Sequence, residues 1–128
     1  MTADLRQQVQ TFLDGCDHDF GIAVSGGGDS MALLHLIAAC RGSHQPHVIT
    51  VNHHLRDAAA AEAAFVAEQC DKLGLAHTTL NWTGWDDKGN LQAAARDARY
   101  RLLAEFAKSE GLGAILLGHT ADDVAETF

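Results

Sequence analysis

Basic residues, proline, aromatics and long apolar runs are all scarce in this sequence, and each shortage excludes something. Nine Lys and Arg face 17 Asp and Glu, a formal net charge of −8 at pH 7. A domain that grips nucleic acid over a broad surface shows the opposite balance. Any RNA contact must therefore be local or come from another part of a longer protein. One proline and 12 glycines in 128 residues, with 47% hydrophobic residues, exclude a disordered chain and provide enough apolar material for one core. No apolar stretch approaches the ~20 residues that span a bilayer, and residues 1–15 are amphipathic and polar, unlike a signal peptide. The expectation is a protein with no membrane partner.

Cysteine is also sparse. Cys16, Cys40 and Cys70 are odd in number, widely spaced and without a CxxC pair. This pattern excludes a disulfide framework and reads as reduced thiols in a cytoplasmic protein. The eight histidines do not make a zinc site. His53 and His54 are adjacent and would point apart on a strand, and no HxxxH or matching Cys pattern occurs. His18, His35, His44 and His77 read as structural or exposed.

Helix and strand signals alternate along the chain. Thr2 is placed to cap a helix carrying Leu5, Val9, Phe12 and Leu13, with Gly15 as its stop. Phe20–Val24 is a short apolar run suited to a strand covered on both faces. Met31–Cys40 reads as a buried helix and His47–Val51 as a second strand. Asp57 can cap a helix with Phe65, Val66 and Leu73 that Gly74 ends. Ala76–Trp82 alternates as a third strand. After a polar loop over 83–89, Asn90 caps a long helix to Glu110 with Gly111 as its stop. Ala114–Leu117 is a fourth strand, and Thr120 or Asp122 should begin a further helix. This order predicts an α/β fold: a three-layer, doubly wound and mainly parallel sheet. Ligands of such sheets bind beyond the carboxyl ends of the strands. The loops after Val24, Val51, Trp82 and Leu117 are thus expected around one crevice. Trp82 and Trp85 could stack on a base there, although packing is the commoner role for a Trp ending a core strand.

Ser25-Gly26-Gly27-Gly28-Asp29-Ser30 lies between the first strand and a helix. Glycines let an anion approach the backbone, and amides at a helix N-terminus attract negative charge. Ser25 and Ser30 add hydroxyls, so phosphate is the expected guest. The loop has no lysine and is not a Walker A sequence, and Met31 breaks a GxGxxG fingerprint. Asp29 would repel phosphates unless a cation lay between them, which predicts Mg²⁺ held by Asp29 and phosphate oxygens. The plainer alternative is a glycine turn with Asp29 as a helix-start carboxylate.

SGGGDS resembles the SGGxDS signature of the PP-loop ATP pyrophosphatases, of the adenine nucleotide alpha hydrolase-like fold. The resemblance implies ATP cleavage between the α and β phosphates, adenylation of a carbonyl oxygen and release of pyrophosphate. Three further motifs narrow it. Val51-Asn52-His53-His54-Leu55-Arg56 follows the second strand, Ala95-Arg96-Asp97-Ala98-Arg99-Tyr100 lies on the long helix, and Gly118 to Thr127 (GHTADDVAET) follows the fourth strand. In this order they resemble the tRNA(Ile)-lysidine synthetase family over nearly the whole chain. Gln92 stands where that family usually has Glu, and Val124 where it often has Gln.

The resemblance implies adenylation of the C2 carbonyl of the wobble cytidine in a tRNA(Ile) with a CAU anticodon, then displacement of AMP by the amino group of free L-lysine. It implies ATP contacts from Ser25, Gly26, Gly27, Gly28, Asp29, Ser30, Asn52, His53 and His119, and Mg²⁺ at Asp29. Catalytic roles fall to Asp29, Arg96, Arg99, Asp123 and Glu126. By spacing alone, Arg96 and Arg99 share a helix face and could equally be solvated, with Asp97 and Glu105 as partners. Asp123 and Glu126, three apart near an expected helix start, could hold or deprotonate the lysine ammonium, or simply stabilise the helix dipole. A tRNA thiolase, an amidotransferase synthetase domain and a non-catalytic ATP-binding module are the competing readings. Residues 1–128 are expected to be the N-terminal part of a larger catalytic domain, cut short at Phe128, without C-terminal tRNA-binding domains. A homodimer is possible.

Overall fold

A computed structural model of the protein describes residues 3–16, 18–25, 28–42, 44–52, 58–82, 90–117 and 125–127. The elements in order are α1 (Ala3–Gly15), β1 (Phe20–Ala23), α2 (Gly28–Cys40), β2 (His47–Asn52), α3 (Ala58–Leu73), β3 (Ala76–Asn81), α4 (Leu91–Glu110), β4 (Ala114–Leu117) and β5 (Ala125–Thr127). They build one five-stranded sheet of order β3-β2-β1-β4-β5. β1 pairs in parallel with both β2 and β4, β2 pairs in parallel with β3, and β5 runs antiparallel to β4.

The topology follows from the burial of β1. All four of its residues are buried, so both faces need cover. Phe20, Ile22 and Val24 pack on one side with Val9 and Leu13 of α1, Leu33, Leu34 and Ile37 of α2, and Val66 and Cys70 of α3. Ala23 packs on the other side with Ile49, Ile115, and Leu103 and Ala107 of α4. The chain steps outward from β1 to β2 to β3, then returns through α4 to the opposite flank of β1. That reversal puts α4 on the opposite face from the other described helices and creates a topological switch point between β1 and β4.

Local chemistry sets the boundaries. Asn90 caps α4: its side-chain oxygen accepts the Ala93 amide at 3.3 Å, and its carbonyl accepts the Ala94 amide at 2.9 Å. Gly74 and Gly111 end α3 and α4 with φ of 71° and 70°. Behind them Leu75 bonds back to the Cys70 carbonyl and Leu112 to the Ala107 carbonyl, the wrapped ending that a left-handed residue permits. Gly15 was expected to act in the same way. The helix does end at Gly15, its last residue, but there the end tightens through a bond from the Cys16 amide to the Leu13 carbonyl at 3.3 Å. The expected caps Thr2 and Asp57 lie outside the described residues, as does Trp85.

The end of the chain departs from expectation. A helix was expected from Thr120 or Asp122, but Ala125–Thr127 forms β5, with Glu126 opposite Ile115. β4 offers a row of unpaired amides and carbonyls on its outer edge, and three extended residues satisfy them. A helical turn of the same length has a costly nucleus and few bonds of its own.

Gly21 sets how closely β2 approaches β1. A Cβ there would lie 2.8 Å from the Ile49 Cδ1 and 3.2 Å from the His47 carbonyl oxygen. Gly21→Ala is therefore expected to destabilise the domain by about 1–3 kcal/mol, read as a lower urea midpoint.

Candidate functional site

β1, β2 and β3 end at one side of the sheet, and the sequence between β1 and α2 is the glycine loop. The Val24 amide donates to the Ile49 carbonyl at 2.9 Å, which carries the β1–β2 ladder one residue beyond Ala23. Ser25 follows and is exposed. α2 opens at Gly28, so Asp29 and Ser30 stand in its first turn, as the sequence predicted. Ser30 is buried, at 6% exposure. Its Oγ accepts the Ser25 amide at 3.1 Å and lies 3.0 Å from the Ser25 Oγ.

Asn52 ends β2, buried at 7% exposure. Its carbonyl accepts the Trp82 amide at 2.9 Å, so the chain stays paired just past β3, and Trp82 is itself buried. The indole at this position is packing, in keeping with the commoner reading of such a Trp. The described residues thus bring Ser25, Ser30 and Asn52 to the carboxyl ends of neighbouring strands. Gly26, Gly27, His53, His119 and Asp123 lie outside the described residues.

The two arginines part company on α4. Arg96 is exposed, whereas Arg99 is half-buried beside the inward Ala98. Burial pulls the Arg99 guanidinium below its ordinary value, and the neighbouring Tyr100 acts in the opposite direction. An arginine remains protonated at neutral pH regardless, so Arg99 holds a desolvated positive charge, which interacts strongly with an anion. Three residues advance a helix by 300°, which is enough to turn one of the pair outward.

Glu126 needs a correction. It lies on β5 rather than in a first helical turn, so neither the shared helical face with Asp123 nor helix-dipole stabilisation applies to it.

Sequence reasoning missed a crossed pair of side-chain bonds between β2 and β3. The His47 Nε2 lies 2.7 Å from the Thr78 Oγ1, and the His77 Nε2 lies 2.9 Å from the Thr50 Oγ1. In the β2–β3 register Val48 stands opposite His77 and Ile49 opposite Thr78, so the two bonds lie on opposite faces. The His47 ring also meets Phe106 of α4 edge-on at 5.0 Å. The only signal in the sequence is a histidine and a threonine in each strand, which means nothing until the register is known. His77 is thus structural, as expected, and so are His18 and His44, which lie within bonding distance of the Asp19 and Leu13 carbonyls. The cysteines are free. Burial pushes the Cys70 thiol up to about 11, which keeps it protonated and inert.

With this geometry in place, the family model of the PP-loop domain matches residues 1–128. The chain belongs to the PP-loop family. The PP-loop chain is similar to the tRNA(Ile)-lysidine synthase of Ruegeria pomeroyi, with 56% identity over 110 residues that make up 84% of this chain and 26% of that protein. It is also similar to the tRNA(Ile)-lysidine synthase of Mesorhizobium japonicum, with 52% identity over 128 residues, 97% of this chain and 28% of that protein. The chain thus spans only about a quarter of the length of these two relatives. Among solved structures it resembles the U34-tRNA thiolase NcsA of Methanococcus maripaludis, with a TM-score of 0.79 at 17% identity over 94% of this chain and 46% of that one. It also resembles the NMN synthetase of Francisella tularensis, with a TM-score of 0.71 at 17% identity over 92% and 54% of the two chains. At such identities the likeness concerns the fold alone, and it agrees with the α/β, mainly parallel PP-loop architecture. Among the described residues no helix is long and apolar enough to cross a membrane.

The histidine pair gives stability a pH dependence. Burial, and then the charge of His47, hold the His77 imidazole below its ordinary value of 6.5. Above that value His77 is neutral whether folded or unfolded, and its contribution is fully present. As the pH falls below 6.5, the unfolded chain takes up the proton first and stability is lost until the lower, folded value is passed. Urea midpoints at pH 7.5 and 5.5 are expected to differ more in the wild type than in His77→Gln.

Proposed function

We propose that this chain is the ATP-binding part of an enzyme that ligates L-lysine to C2 of the wobble cytidine in CAU-anticodon tRNA(Ile), through an adenylated tRNA. The supporting observation is the similarity to two proteins named tRNA(Ile)-lysidine synthase, at 56% and 52% identity, over a segment that includes the strand–SGGGDS–helix unit. In this reading ATP lies across the crevice at the carboxyl ends of β1, β2 and β4. The loop from Ser25 to Ser30 takes the phosphates, and Asn52, His53 and His119 line the nucleotide. The partners are the tRNA and free lysine, and the reaction is cytoplasmic.

The chain's own groups suit the charge that develops. Attack of the cytidine O2 on the α-phosphorus places negative charge on the phosphates and the leaving pyrophosphate. Backbone amides at the start of α2 and a cationic side chain counter that charge. Arg99 fits the second role better than Arg96, because its charge is already partly withdrawn from water. Asp29 stands in the first turn of α2, and its carboxylate is the hard oxygen donor that Mg²⁺ prefers. Bound there, Mg²⁺ would neutralise phosphate charge. The second half of the reaction needs a neutral lysine amine, since an ammonium cannot attack. Asp123 and Glu126 are the carboxylates proposed to hold that amine and accept its proton.

The deciding experiment is pyrophosphate release by the full-length protein with unmodified tRNA(Ile), with and without lysine. Release is expected only when the tRNA is present; release indifferent to tRNA would sink the ligase reading. Asp29→Ala is expected to cut turnover of Mg·ATP by about 100-fold or more. Undiminished turnover in that variant would remove Asp29 as the metal ligand. Arg99→Ala is expected to lower kcat/KM by at least about tenfold more than Arg96→Ala, measured in the same assay.

A further inference from the structure

The two ends of the glycine loop are joined through one side chain. Ser30 is the single buried polar residue in the described part of α2, and its Oγ receives the Ser25 amide at 3.1 Å while lying 3.0 Å from the Ser25 Oγ. Both ends of this contact are anchored. Val24, just before Ser25, is bonded to the Ile49 carbonyl, and Leu33 and Leu34, one turn after Ser30, are buried in the core.

We infer that Ser30 is a positioning residue that clasps the end of β1 to the first turn of α2 and so aims Ser25, rather than a phosphate ligand in its own right. The inference rests on the phosphate-loop reading and changes the role that the motif suggests for its second serine. The two hydroxyls differ in place: Ser25 is at the surface and Ser30 is beneath it. The Ser25 amide is turned inward onto Ser30 rather than toward a bound phosphate. Fixing the backbone of glycine costs more conformational entropy than fixing any other residue. Fixing both ends beforehand lowers that cost. Burial of Ser30 also keeps water from competing for the bond.

The full-length protein tests this through ATP kinetics and through hydrogen exchange at the Ser25 amide. Ser30→Ala is expected to raise the KM for ATP by about tenfold, a larger factor than its loss in kcat, and to speed exchange of the Ser25 amide. Ser30→Thr, which keeps the hydroxyl, is expected to recover most of both. A large fall in kcat with KM unchanged would mean that Ser30 touches the reacting phosphates, which overturns the inference. Unchanged exchange at Ser25 in Ser30→Ala would overturn it as well. A wild type that binds no ATP would sink the phosphate-loop reading, while the exchange measurement would still decide whether the clasp exists.

Discussion

Four residues of β1 meet two parallel neighbours and two apolar faces at once. A strand with that many obligations has little freedom in composition. Its side chains are apolar wherever they project, and Gly21 stands where the Ile49 side chain and the His47 carbonyl come closest. The same central position decides the rest of the fold. β2 and β3 extend one flank, β4 and β5 the other, and the change of direction between them opens the sheet's carboxyl edge at β1. The glycine loop therefore leaves from a strand that is buried on both faces and paired on both edges.

The residue type of the loop works against that fixed frame. Glycine is the residue that best tolerates close approach of an anion and the one that loses most entropy when fixed. The domain limits the cost at the loop's ends. The β1–β2 ladder runs through Val24, α2 starts at Gly28, and the serines are joined across the gap.

The sequence made most of the frame legible because the signals were local. An Asn before a helix, a Gly after one and short apolar runs between them act within a few residues, and Asn90, Gly74, Gly111 and the strands at 20–24, 47–51 and 114–117 stand where those signals put them. Signals that depended on a partner failed. Arg96 and Arg99 look equivalent in spacing, and only the orientation of α4 on the sheet separates them. The His–Thr crossings of β2 and β3 exist through register. At the site, the strand ends and the first turn of α2 could be read from the motif, but the inward turn of the Ser25 amide could not, because it needs the depth at which Ser30 is buried.

Residues 125–127 show why a periodic acidic segment is a poor guide to helix. Ala-Glu-Thr has no strong preference, and what it adopts depends on what it meets. β4 is buried over Ala114–Leu116 and has one edge committed to β1, so its other edge offers several backbone bonds for three ordered residues. The isolated first turn of a helix offers about one. The edge wins on that count, and Glu126 is carried away from the helical face assumed for it. A role for Glu126 in handling an amine must therefore rest on its place opposite Ile115 on the outer flank of β4, and not on a three-residue spacing from Asp123.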